Sequence, residues 1–199
     1  YPYAGKSTVP RGDDEFETGA PGPLGVMDLQ LHPPSNPHLT VAAFNAPVAG
    51  VYTVSGLAVR RVFYEGESVT CLVFDSGKNQ LASLQAFQDQ MWVADDQSYP
   101  AGNLQAGDRI YFAVSNDGDY GWDASEIAFT VTTGNTVWHS YKTVTQDGFP
   151  QALLPDETGN TPARLDFYES SNDGGVDWSG TSPITVTGPL ITWTLSAAP

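Results

Sequence analysis

Between residues 50 and 56 polar and apolar positions alternate without a break, with Val51, Thr53 and Ser55 on one side of an extended chain and Tyr52, Val54 and Gly56 on the other. A period of two marks a strand half buried against a core. Just before it, residues 31–50 (LHPPSNPHLTVAAFNAPVAG) supply a Pro-rich loop, a nearly continuous apolar strand and an Ala-Pro/Ala-Gly turn. The same grammar recurs downstream. VMDLQLH alternates, VYTVSGLAVRRVFY is long, and SVTCLVF and QLASLQAF flank residues 75–79 (DSGKN) as the two arms of a hairpin. MWV then precedes a loop, ADDQSYPAGN; the Ala-Gly-Asp turn within LQAGDRIYFAVSND launches another alternating strand, and ASEIAFTVTTG completes the series. About eight short strands with turns every eight to twelve residues, and no convincing helical stretch of ten, predict an all-β antiparallel β-sandwich of the jelly-roll kind.

The pattern divides the chain into three parts. Residues 1–23 form an irregular N-terminal arm, rich in Pro and Gly and carrying the acidic cluster Asp13, Asp14, Glu15 and Glu17. Residues 24–134 form the jelly roll. Residues 135–199 add a C-terminal β extension in which TVWHSYKTVT, ARLDFYES and PLITWTLSA read as strands and DGFPQALLPDETGNTP and SSNDGGVDWSGTSP as long loops. The extension either completes the sandwich or makes a small second β-domain, and its thin apolar content favours the former.

Charge narrows the partners. Among 199 residues, 8 Lys and Arg face 23 Asp and Glu, for a formal net charge of −15. Such a surface repels phosphate backbones and anionic lipid, which argues against nucleic acid as a partner. No apolar run is long enough for a membrane-inserted helix. The single cysteine, Cys71 in SVTCLVF, reads as a small buried hydrophobe and excludes a disulfide within the chain. Abundant Gly, Pro, Ser, Thr and aromatic residues with little Lys are the look of a secreted, extracellular β-protein.

Aromatic and acidic residues supply the candidate chemistry. Flat rings stack on the C–H faces of a pyranose while neighbouring Asn, Asp, Gln and Arg bond its hydroxyls. On loops, the candidates for carbohydrate binding are Trp92 and Tyr99 flanking Asp95, Asp96 and Gln97, Tyr120 and Trp122 in SNDGDYGWDAS, and Trp178 in NDGGVDWSG. Each competes with the plainer role of plugging a sandwich end; Trp138 and Trp193, inside strand patterns, read as core or sheet-face residues. Asp117, Asp119 and Asp123, interleaved with glycines, offer the hard oxygens that a structural Ca²⁺ requires, without the EF-hand pattern. Asn172, Asp173 and Asp177 are a weaker second set. No catalytic constellation stands out: His32, His38 and His139 lack zinc spacing, no GxSxG or phosphate-binding loop occurs, and 23 acidic residues make carboxylate pairs unavoidable and therefore uninformative.

Taken in order, LHPPSNPHLTVAAFNAPVAGVYTVSG, VTCLVFDSGKNQLAS and AGNLQAGDRIYFAVSNDGDYGWDASEIAFTV resemble the β-jelly-roll, carbohydrate-binding-module-like domains appended to secreted bacterial glycoside hydrolases and surface proteins. The resemblance covers about residues 24–133 and rests on the succession of turns rather than on any one motif. It implies a non-catalytic module that recognises a polysaccharide or other glycan, and in that family the last Asp of such a loop, here Asp123, commonly fixes the turn before the final strand. The alternative is a self-associating structural protein of a cell surface, appendage or virion, built by jelly-roll packing or strand addition between copies of itself.

Overall fold

The computed structural model describes residues 3–5, 29–32, 39–61, 68–90, 92–116, 125–146, 149–157, 160–169 and 182–183. They form strands β1 (Tyr3–Gly5), β2 (Leu29–His32), β3 (Thr40–Asn45), β4 (Gly50–Arg61), β5 (Val69–Phe74), β6 (Gln80–Ala86), β7 (Trp92–Leu104), β8 (Arg109–Asn116), β9 (Ser125–Thr133), β10 (Thr136–Gln146), β11 (Phe149–Pro155), β12 (Ala163–Glu169) and β13 (Ser182–Pro183). Every pairing among them is antiparallel.

The eight strands from β2 to β9 divide into two sheets with orders β2–β9–β4–β7 and β3–β8–β5–β6. That interleaving, in which successive strands alternate between sheets except at the β5–β6 hairpin and the last lies beside the first, is jelly-roll topology. The inner faces meet in one apolar core containing Phe44, Tyr52, Val54, Val59, Val73, Ile110, Phe112, Ile127, Phe129 and Val131. Phe112 and Phe129 stack across it, ring centroids 3.6 Å apart.

Strands β10, β11 and β12 close one side. β2 occupies the first half of the β9 edge and β10 the second half. From β10 the ladder continues through β11 to β12, which pairs with β3 of the other sheet. The extension therefore shares the sandwich core: Trp138 is 1% exposed, packs against Phe44 and Tyr52, and donates its indole N–H to the Thr161 carbonyl at 3.2 Å. Leu153, Ala163, Leu165 and Phe167 join the same cluster.

Two segments read as loops are largely strand, and the short strands β1 and β13 likewise fall in stretches read as an irregular arm and a loop. β7 runs unbroken through ADDQSYPAGN, because long β4 supplies partners from Gly50 to Arg60 and two register shifts absorb the extra residues. Within it Asp95 Oδ1 accepts the Gln97 N–H at 2.8 Å, holding the turn-forming residues in a bulge. β11 likewise lies inside DGFPQALLPDETGNTP, drawn into the sheet between β10 and β12. On β4 the alternation slips at Gly56, which stands exposed with φ +59° beside the register shift. Beyond it Leu57, Val59 and Arg61 turn inward.

Candidate functional site

The outer face of the first sheet has two halves, set by the register of β7, β4, β9 and β10. In the first, Trp92, Arg60 and Glu126 share a row, and Ala94, Ala58 and Ala128 the next. This half is closed: Arg60 is 8% and Glu126 1% exposed, and the Arg60 guanidinium donates to the Glu126 carboxylate. Half-buried Trp92, like Ala94, packs on Ala58 and Ala128, whose small side chains leave room for an indole to lie against the sheet.

The second half is open and polar. Ser98, Ser55, Thr130 and His139 form a row across all four strands, and Pro100, Thr53, Thr132 and Val137 form the row beside it. Three inter-strand steps of about 4.8 Å make such a row roughly 14 Å long. Ser98 is exposed and the other three are half-buried. His139 Nδ1 lies 2.9 Å from Thr130 Oγ1, and Nε2 lies 3.1 Å from Asp156 Oδ2. Tyr141, two residues along β10, stacks on the imidazole with centroids 4.8 Å apart. The Lys142 ammonium donates to Asp156 Oδ1, and that bond first, with His139 second, holds the Asp156 carboxyl below the usual aspartate range. Gly56 lies above Thr130, where a Cβ would come within 3.5 Å of its hydroxyl. The face thus carries hydroxyls, an imidazole, a phenol ring and a balanced ion pair, all on strands except Asp156, which directly follows β11.

Sequence reasoning placed Trp92 and Tyr99 together on a loop. The structure puts them on one strand with opposite facing: Tyr99 pairs with core-facing Val54 and packs against the main core. Its hydroxyl donates to Asp95, a bond that with partial burial pushes the Tyr99 phenol up to about 12. Tyr120, Trp122, Trp178, Asp117, Asp119 and Asp123 lie outside the described residues, as do Asn172, Asp173, Asp177 and Trp193. Among the described residues no three His, Cys, Asp or Glu side chains converge as metal ligands. Burial pushes the Cys71 thiol up to about 12, far from the range of a nucleophile.

Thr130, Tyr141 and Asp156 carry no sequence signal of their own, and His139 is weighed from sequence only as a zinc ligand. A local signal for part of the set existed: Gly134, with φ +55°, and Asn135 make a two-residue hairpin turn, which brings Thr132 opposite Val137 and Thr130 opposite His139. Asp156 carries no such signal, because it arrives through β11. At the end of the sandwich, fully buried Arg61 donates to the carbonyls of Phe87 and Gln88. A surface depression of about 490 Å³ there is lined by Ser68, Phe87, Gln88 and Asp89.

No family model matches the chain, and no curated protein matches it. Among solved structures, an arabinose-bound MgGH51 α-L-arabinofuranosidase is similar at 14% identity with a TM-score of 0.37, over 52% of this chain and 18% of that one. A score that low transfers neither a fold nor an activity to this chain.

Proposed function

We propose that this β-sandwich is a non-catalytic carbohydrate-binding module that takes a glycan on the open half of the outer face of its first sheet. The observation that carries the reading is the row Ser98, Ser55, Thr130 and His139 with Tyr141 beside it. Sugar recognition needs a ring for the C–H faces and fixed donors and acceptors for the hydroxyls, and strands hold both more rigidly than loops do. Hydrogen bonds made by side chains already ordered in the free protein cost little further entropy on binding.

The test is a glycan-array screen of the purified chain, with and without calcium, beside Tyr141→Ala. Retention on a glycan that weakens in the variant supports the reading. Retention that depends on calcium adds a cation to it, and silence across the array sets it aside. Sedimentation at several concentrations addresses the competing reading of a self-assembling structural protein, for which growth of the particle with concentration is required.

A further inference from the structure

The hydrogen bonds around His139 fix the polarity of the row. Asp156 accepts from two sides, from Lys142 at Oδ1 and from His139 at Oδ2. A carboxylate has no proton to give, so the nitrogen facing it, Nε2, carries the imidazole hydrogen. In the neutral imidazole Nδ1 is then a bare acceptor, and the group 2.9 Å away, Thr130 Oγ1, donates to it. The Thr130 hydroxyl proton is spent inward. What Thr130 turns toward the open face is lone pairs.

Resting on the glycan reading above, we propose that Thr130 is a specificity-determining acceptor, and that the site selects neutral, hydroxyl-rich polysaccharides over uronic-acid or sulfated ones. A sugar hydroxyl satisfies an acceptor by donating to it. A carboxylate or sulfate oxygen set there meets lone pairs with lone pairs, which leaves a desolvated acceptor unpaired. The charges nearby do not reverse this preference: Lys142 is neutralised by Asp156, and the chain as a whole carries a net charge of −15. The arrangement is positioned from three places, β9 for Thr130, β10 for His139 and Lys142, and the residue directly after β11 for Asp156, so it is set before any ligand arrives.

Two measurements decide it. In ¹⁵N-histidine-labelled protein at neutral pH, long-range ¹H–¹⁵N correlations are expected to report His139 as the Nε2–H tautomer; an Nδ1–H tautomer or a doubly protonated ring overturns the assignment. In affinity electrophoresis, gels cast with neutral xylan, arabinan or mixed-linkage glucan are expected to retard the chain, and gels cast with polygalacturonate or carrageenan are not. Thr130→Val, checked for folding by circular dichroism, is expected to weaken retardation roughly two- to tenfold, the worth of one hydrogen bond. Thr130→Ser restores it. Equal or stronger retardation by the acidic gels, or an unaffected Thr130→Val, overturns the inference while the glycan reading stands. No retardation by any gel overturns both.

Discussion

Single side chains here are tuned by the partners that strand facing gives them. Tyr99 is the clearest case, because its phenol, bonded to Asp95, is raised from 10.0 to about 12. A folded-state value above the unfolded one favours the protonated form in the fold. The contribution is therefore complete below the ordinary tyrosine range and is lost as pH climbs from about 10 toward 12. Phenolate absorbance should show one tyrosine titrating late in the native protein, and Asp95→Asn should return it toward its neighbours; a native titration with no late tyrosine would remove Asp95 from that role. Asp166 is a second hub, accepting from Asn45, Arg109, Arg164 and Tyr168 across β3, β8 and β12. Arg164 and Tyr168 are near neighbours on β12, but Asn45 and Arg109 reach Asp166 only through the pairing of β3 with β8 and β12.

At the scale of elements, the strands were legible where alternation met a core and illegible where turn residues were held in a ladder. β3, β5, β6, β8, β9, β10 and β12 follow the alternating or apolar runs directly. β7 does not, since Asp, Ser, Pro and Gly occupy an edge strand that tolerates bulges and a missing donor. That misreading also moved the aromatic candidates: alternation on a strand, unlike a loop, sends Trp92 and Tyr99 to opposite faces. The glycines of β4 are equally positional. A Cβ on Gly50 would overlap the Thr133 hydroxyl on β9, with the Thr133 Cβ 3.6 Å away. Gly50→Ala is expected to destabilise by about 1–3 kcal/mol through this overpacking, read as a lower urea midpoint at unchanged m-value. An unchanged midpoint would mean that β4 and β9 separate more easily than their register implies.

Over the whole molecule, the extension and the jelly roll share one set of contacts. Trp138 from β10 stands between Phe44 of one sheet and Tyr52 of the other, so neither part has a complete core without it. Thermal unfolding is expected to be a single transition by calorimetry and by tryptophan fluorescence, and Trp138→Ala to cost about 3–5 kcal/mol. Two resolved transitions would separate residues 135–199 from the sandwich. The jelly-roll class was readable from strand count and turn chemistry alone, whereas the polar face was not, because it is assembled by register across four strands and by the long return of β11 to Asp156.

The central claim is that the open half of the outer face is where a glycan sits. The most direct measurement is a ¹H–¹⁵N shift map of the chain titrated with an oligosaccharide of whichever neutral polysaccharide retards it. The largest shifts are expected at Thr53, Ser55, Ser98, Thr130, Thr132, His139 and Tyr141, with saturation lost in Tyr141→Ala. Shifts confined instead to Ser68, Phe87, Gln88 and Asp89 at the end of the sandwich would contradict it.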